Sequence, residues 1–322
     1  MRESNSKRPY ADNLAVILGG GVIGASWAAL FLANGLRVTI SDPDPDIAAK
    51  ATAMITEAAP ALSALGYDTA DLLTKLSFET DNAKAVAEAD LVQECGPEKP
   101  DLKQALWKTI EASAPKDALL LSSSSTIPAS VQNILMTDPG RLIIGHPFNP
   151  PHLMPLVEVV PTPKADRATV SEALAFYNGI GKVALEIKKE IGGFVANRLQ
   201  GAIFRECVYL VSQGVVSLDQ LDDVVTNSLG IRWATSGPFL SFHLGGGPGG
   251  FAHFLEHLGP PMEQSWAHLG EASLDAATKT LLLKQVGASF GKTPYAELSE
   301  TRDDKEVAVI NGLAKVRRAA RA

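Results

Sequence analysis

A short apolar run that ends in three glycines limits this chain more than any other stretch. Leu14-Ala-Val-Ile-Leu18 is continuous and bounded by glycine, the pattern of a central strand in a parallel sheet. Gly19-Gly20-Gly21-Val22-Ile23-Gly24 follows at once, then the apolar helical stretch Ala25 to Ala33, which Asn34-Gly35 stops. Arg37 to Ile40 reads as the next strand, and Asp42 stands at its end. Each part has a physical task. Gly19 makes the tight turn, Gly21 lets the backbone approach a pyrophosphate, and Gly24 lets helix and strand pack closely. Val22 and Ile23 lie in the loop ahead of a helix whose free N-terminal amides and positive dipole end suit phosphates. Asp42 is close to the spacing of an acid that accepts from both ribose hydroxyls and repels a 2′-phosphate. No arginine follows in Pro43-Asp44-Pro45, so NAD is expected over NADP. A glycine loop alone fits a ligand-free turn just as well; strand, loop, helix, strand and acid in this order favour a cofactor site.

The alternation continues. Leu91 to Glu94 follows the helix Ala83 to Ala89, Asp101 to Ala114 is amphipathic, and Leu119 to Ser122 opens into Ser123-Ser124-Ser125-Thr126. Leu142 to Gly145, Leu156 to Val160 and Val183 to Ile187 read as further strands. The expected fold is α/β, a Rossmann-type doubly wound sheet with ligands at the carboxyl ends of its strands, followed by an all-helical C-terminal domain. Strand signals fade after Ile187. Phe194 to Ser212, a helix opened by a Ser217-Leu-Asp-Gln220 capping box, Leu274 to Phe290 and Val307 to Arg318 read as helical, with a break at Gly245 to Gly250. The domains are expected at 1–191 and 192–322.

Asp42, Glu98, Ser125 and His146 all fall just beyond predicted strand ends. His146 and Glu158 bracket a Pro-rich link between two neighbouring strands, which can bring an imidazole and a carboxylate together. A carboxylate on one ring nitrogen fixes the tautomer and stabilises the imidazolium, leaving the other nitrogen a usable base near neutral pH. Beside a nicotinamide, such a base means alcohol oxidation or its reverse.

The chain has 322 residues, ample for a core and one large or two moderate domains. Its formal charge of −7 speaks against nonspecific nucleic-acid or anionic-membrane binding. Arg317, Arg318 and Arg321 are expected to cap a terminal helix. No apolar run is long enough for a bilayer, and Met1 to Asn13 is too polar for a secretory signal. Cys95 and Cys207 lie in apolar stretches and read as thiols in a reducing compartment, so the cytoplasm is the expected location.

The motifs together resemble the L-3-hydroxyacyl-CoA dehydrogenase family over nearly the whole length. Its catalytic signature is similar to His146-Pro147-Phe148-Asn149-Pro150 with Val157-Glu158-Val159, and its helix start to Gly193-Phe194-Val195-Ala196-Asn197-Arg198. Its Ser/Thr-rich strand end is similar to Ser122 to Thr126, and its loop glutamate and the lysine after it to Glu98 and Lys103. The resemblance implies His146 as base, Glu158 as its orienting partner, and Ser125 and Asn197 as ligands of the reacting oxygen. It places Glu98, Lys103, Ser123 and Asn149 with the cofactor-binding residues, and implies a small-molecule substrate and a homodimer through the helical domain. Pro147 stands where the fatty-acid enzymes have an aromatic residue, and the stretches Asn149 to Pro151, Pro155 to Glu158, Asn197 to Gln200 and Gly230 to Ala234 resemble the lambda-crystallin and L-gulonate 3-dehydrogenase branch. The run from Arg232 to Gly247 is equally similar to L-carnitine dehydrogenases and some 3-hydroxybutyryl-CoA dehydrogenases.

The expected activity is NAD-dependent oxidation of a small L-3-hydroxy acid, gulonate- or carnitine-like. The alternatives are a 3-hydroxyacyl-CoA dehydrogenase of fatty acid metabolism and a non-catalytic NAD-binding structural protein. Arg232 could bind a substrate carboxylate or tie two subunits together, and the interface reading is weighed slightly higher. His253-Phe-Leu-Glu256-His257 matches a zinc-protease pattern but lacks an evident third ligand, and no metal is expected.

Overall fold

The structure is a computed structural model that describes residues 9–319, with side chains to residue 316. The expectations for residues 1–8, for the Arg317 and Arg318 side chains and for Arg321 lie outside the described residues.

The described residues form two compact units. The first runs through Asn197 and also takes in Arg302–Gly312. It is built as β1 (Leu14–Leu18), α1 (Val22–Ala33), β2 (Arg37–Ser41), α2 (Ile47–Ala64), β3 (Leu76–Glu79), α3 (Asn82–Ala85) and β4 (Leu91–Glu94). It continues with α4 (Pro100–Ser113), β5 (Leu119–Ser122), α5 (Ala129–Gln132), β6 (Leu142–Pro147), β7 (Leu156–Pro161), α6 (Arg167–Gly179) and β8 (Val183–Glu186). The eight strands form one sheet in the order β3-β2-β1-β4-β5-β6-β7-β8. Pairing is parallel from β3 across to β6, antiparallel between β6 and β7, and parallel again between β7 and β8.

The sequence explains the two-sided burial. Successive strand residues point to opposite faces. Ala15 and Ile17 of β1 pack into one apolar cluster with Trp27, Phe31, Phe176 and Tyr177. Val16 and Leu18 pack into the other, with Trp107, Ile144 and Phe194. A strand covered on both faces has to be apolar throughout, as Leu14 to Leu18 is. Helix α1 is buried from Gly24 to Ala33 and therefore shows no polar face.

Residues 192–197 go with the first unit because Phe194 is wholly buried in its core and the Val195 and Ala196 amides donate to Glu158. Arg302–Gly312 goes with it too: Asn311 donates to the Ala64 carbonyl at the end of α2, at 3.0 Å.

Helix α7 (Ala196–Ser212) leads into the second unit. Then come α8 (Leu218–Asn227), α9 (Leu229–Thr235), α10 (Gly237–Gly245), α11 (Gly250–His257), α12 (Gly259–Trp266), α13 (Ala276–Ala288) and α14 (Tyr295–Ala319). Ser217 and Gln220 close the reciprocal cap of α8. Two local expectations change. The glycine run at Gly245 to Gly250 holds a 3-10 turn at Gly247–Gly249 directly joining two helices, since Gly247 and Gly250 adopt positive φ. The helix expected from Val307 is the second half of a longer one that starts at Tyr295. No described helix is long and apolar enough to cross a membrane.

Candidate active site

The glycine loop lies between the ends of β1 and β4. Gly19 has φ +100°, and a Cβ there would meet the Cys95 carbonyl oxygen at 2.9 Å. A Cβ on Gly24 would stand 1.9 Å from the Gly19 carbonyl oxygen, so loop and helix close on each other without room for a methyl group. Gly21 has open space where its Cβ would be. It precedes α1, whose N-terminus has no side-chain cap and no acid in its first turn. Those free amides, facing open space, fit a pyrophosphate. Val22 of that first turn is exposed and Ile23 half-buried. Asp42 follows β2 as expected. Its Oδ2 accepts from the Gly20 amide at 2.8 Å and its Oδ1 from the Asp44 amide at 2.9 Å, which ties the acid to the loop it would serve.

Across the sheet, the reversal of β7 sets His146 directly opposite Glu158 in the ladder. His146 Nδ1 lies 2.9 Å from Glu158 Oε2, both residues being buried. Glu158 Oε1 accepts from the Val195 and Ala196 amides at 2.9 and 3.1 Å, at the start of α7. Burial pushes this carboxyl up, but the bonds from His146 and the two amides outweigh it and hold the group below the usual glutamate value. An ionised Glu158 can only accept, so Nδ1 carries the proton and the other ring nitrogen keeps its lone pair. Phe194, at φ +48°, makes the turn that aims the amides, and its buried ring lies 5.4 Å from the imidazole. The left-handed conformation costs about 1–2 kcal/mol, of the order that burying a phenyl ring returns.

A second cluster gathers around Glu98. Its carboxylate accepts from Ser124 Oγ and from the Ser125 amide, both at 2.7 Å, and more weakly from the Ser125 and Thr126 hydroxyls at 3.5 Å. Asn197 Nδ2 reaches the Ser125 carbonyl at 3.5 Å. The serine run after β5, the loop after β4 and the first turn of α7 therefore meet, and Glu98, Ser125 and Asn197 come together. Asn149 is exposed on the connection after β6, where the Asn149–Pro150 peptide is cis.

Other candidates face inward. Lys103 is buried with its Nζ 2.5 Å from Glu94 Oε1, and Glu94 also accepts from Ser122 Oγ and the Gly96 amide, each at 2.7 Å. Ser123 Oγ accepts from Trp27 Nε1 at 3.1 Å and from Gln93 Nε2 at 2.8 Å. Tyr177 completes that chain by donating to Gln93 Oε1 at 2.7 Å. Sequence reasoning assigned no role to Glu94 or Gln93; two polar residues closing an otherwise apolar buried strand were the available signal. In the second unit, Arg232 lines a cavity of about 630 Å³ with Ser236, Ser241, Phe242, Phe254 and Met262. The His253 and His257 rings lie 4.0 Å apart at a tilt of 34°, and His257 Nδ1 donates to the His253 carbonyl. Among the described residues no group of three His, Cys, Asp or Glu side chains is placed to hold a metal.

Comparison with known proteins identifies the family. Residues 14–191 match the 3-hydroxyacyl-CoA dehydrogenase NAD binding domain, and residues 193–279 match that family's C-terminal domain. Fold and sequence together define an NAD-dependent dehydrogenase. The L-carnitine dehydrogenase of Nocardiopsis dassonvillei is 39% identical over 99% of this chain and 97% of its own length. A 3-hydroxyacyl-CoA dehydrogenase of Gibberella moniliformis is 41% identical over 89% of this chain and 90% of its own. Among solved structures, an NAD+-dependent 5-formyl-3-hydroxy-2-methylpyridine 4-carboxylic acid 5-dehydrogenase superposes with TM-score 0.78 at 29% identity, covering 94% of this chain and 99% of that one. The chain belongs to the 3-hydroxyacyl-CoA dehydrogenase family.

Proposed function

We propose that this dehydrogenase oxidises the 3-hydroxyl of a small L-3-hydroxy acid of the carnitine type, with His146 as the proton acceptor. The observation that carries the chemistry is the buried His146–Glu158 pair, whose carboxylate is anchored by two backbone amides. Bound NAD supplies the hydride acceptor. The unprotonated nitrogen of His146 takes the hydroxyl proton, and Glu158 holds the ring and balances the charge it gains. Ser125 and Asn197 hydrogen-bond the reacting oxygen as its charge changes. Glu98, fixed by the serine run, keeps that loop in place. Gly19, Gly21, Val22, Ile23, Gly24 and Asp42 form the cofactor cradle, bordered by Ser123 and Asn149, with Lys103 bracing the loop between Glu94 and Glu98 from beneath. Arg232, in the second unit, fits a tie between subunits somewhat better than a partner for a substrate carboxylate.

The carnitine-type substrate is supported by full-length relatives of that name. The Gibberella relative supports a second reading, oxidation of a 3-hydroxyacyl-CoA thioester. NADH formation measured with L-carnitine, L-gulonate, 3-hydroxybutyrate and 3-hydroxybutyryl-CoA separates them. Turnover of the thioester alone would replace the first reading with the second. Inertness of His146→Ala, expected to lose about 10²–10⁴-fold in rate, tests the base in either case. A homodimer through the helical unit and a cytoplasmic location belong to the same reading. Exposed Phe239, Leu244, Trp266 and Leu283 support the first, and the unpaired Cys95 and Cys207 the second.

A further inference from the structure

The connection from β6 to β7, which follows His146 and returns to Glu158, is held from two sides by residues outside the reaction chemistry. Within it, the Leu153 and Met154 amides both return to the Pro150 carbonyl at 3.0 Å, a tight turn. Lys182, just after α6, is buried and aims its Nζ into that turn, donating to the Met154 carbonyl at 2.8 Å and to the Pro151 carbonyl. The next residue, Val183, donates its amide to Pro155 at 2.8 Å. On the other side stand two successive residues of α1, the helix that begins at the glycine loop. Ser26 Oγ accepts from the His152 amide at 2.9 Å and pairs with His152 Nδ1 at 2.8 Å. Trp27 puts its ring 5.5 Å below the Lys182 nitrogen.

The geometry points to Lys182 as a positioning residue that, together with the Ser26–His152 pair, clasps the β6–β7 connection to the cofactor helix and holds His146 in register with Glu158. The inference rests on the reading of His146 as the base. Two carbonyl oxygens, that of Pro151 buried and that of Met154 partly so, depend on one side chain, and each would lose its partner if that side chain were shortened. The two hydrogen bonds also outlast loss of the charge, although they are weaker without it. Burial lowers the Lys182 pKa to about 7, yet a neutral amine still has two N–H donors for two carbonyls. His152 beside it stays neutral, because burial, then the charges of Lys182 and Arg302, push its pKa down to about 4. The ring therefore serves Ser26 without bringing a second cation against the amine.

The test compares Lys182→Met and Ser26→Ala, each alone and combined with His146→Ala, in the full chain. Turnover is measured with L-carnitine and NAD, and hydrogen exchange of the 148–155 segment is followed without substrate. Displacing a reacting group by about 1 Å costs on the order of 10²-fold. Lys182→Met should therefore lower kcat by that order with little change in KM for NAD, and exchange in the segment should quicken. In the His146→Ala background most of that loss should disappear, because the group being positioned is gone. Ser26→Ala should act in the same direction more weakly, and it carries the comparison alone if Lys182→Met does not fold. Native kcat and native exchange in a folded variant overturn the clasp. So does an equal loss with and without His146, which would mean that Lys182 acts by another route. If the native chain does not oxidise L-carnitine, or His146→Ala keeps native turnover, the functional reading fails and the exchange measurement alone decides the clasp.

Discussion

Replacing Glu158 with glutamine keeps size and shape and changes only what the side chain can accept. Glu158 Oε1 serves the Val195 and Ala196 amides, and a glutamine oxygen can take over both bonds. The other terminal atom then becomes an NH2 facing His146 Nδ1, across what is now a 2.9 Å contact. That pairing is possible only if Nδ1 gives up its proton. The neutral ring then carries its proton on the nitrogen that should receive the substrate's, and the base is blocked. A second loss is electrostatic. An imidazolium and a carboxylate with charge centres about 4 Å apart, at an effective dielectric near 20, attract by about 4 kcal/mol. Losing that at the moment the ring becomes charged corresponds to roughly 10³-fold in rate. The analogous carboxylate-to-amide exchange behind a catalytic histidine in serine proteases costs about 10⁴-fold through the tautomer. Glu158→Gln should therefore lower kcat by about 10³–10⁴-fold while NAD binding and far-ultraviolet circular dichroism stay native. NADH formation in the purified variant is the assay. A folded Glu158→Gln protein working within about tenfold of the native rate would refute the tautomer argument, since neither loss is that small.

Three further perturbations test other parts of the structure. Gly24→Ala forces a methyl group to 1.9 Å from the Gly19 carbonyl oxygen and should cost about 3 kcal/mol or more, together with NAD binding; an unchanged melting curve that still shifts upward with NAD contradicts the close packing. Asp42→Ala removes the acceptor of the Gly20 and Asp44 amides and should weaken NAD while narrowing the preference over NADP, read as the ratio of kcat/KM for the two; an unaltered ratio counts against Asp42. His152 has a folded pKa of about 4 against 6.5 for an ordinary histidine, so between those values the unfolded chain binds more protons. Stability should then rise with pH from about 4 to 6.5, by about 3 kcal/mol in all, and fall away on acidification; urea unfolding across that window checks it, and a slope that persists in His152→Gln assigns it elsewhere.

What could be read before the structure was whatever depends on short-range pattern. β1, the glycine loop, α1, β2 and Asp42 form one contiguous stretch whose physics is local, and their geometry follows the sequence closely. The His146–Glu158 pair was legible for a different reason. The two strands are adjacent in the chain and joined by a short link, so antiparallel pairing could place the residues opposite each other. The illegible parts depend on distant partners. β3 is a four-residue edge strand with no buried position and no long apolar run. Lys103 is placed with the cofactor-binding residues by resemblance alone, and its burial against Glu94 depends on the end of β4, which no local pattern shows. Lys182 follows a turn glycine with no motif around it, and its meaning comes entirely from carbonyls about thirty residues earlier. The return of Arg302–Gly312 to the first unit depends on contacts such as Asn311 with Ala64, 247 positions apart in the chain.

The antiparallel step between β6 and β7 makes the pair sensitive to register in a way that the rest of the sheet is not. Side chains alternate across a strand, so a slip of one residue turns Glu158 to the opposite face and sets Val157 or Val159 against His146. The turn that fixes this register has no slack: Leu153 and Met154 bond back to Pro150 on one flank, and Pro155 is held by Val183 on the other. Inserting one alanine between Met154 and Pro155 should therefore abolish turnover. NAD affinity should survive, because Gly19 to Gly24 and Asp42 are built from β1, α1 and β2, and the two points where the connection meets them, Asn149 and the Ser26–His152 contact, both lie ahead of the insertion. Calorimetric titration with NAD and the NADH assay on the same preparation separate the two effects. Retained turnover would mean that the ladder holds its register without the turn, and loss of both would mean that the cofactor half of the sheet depends on this connection for its own fold.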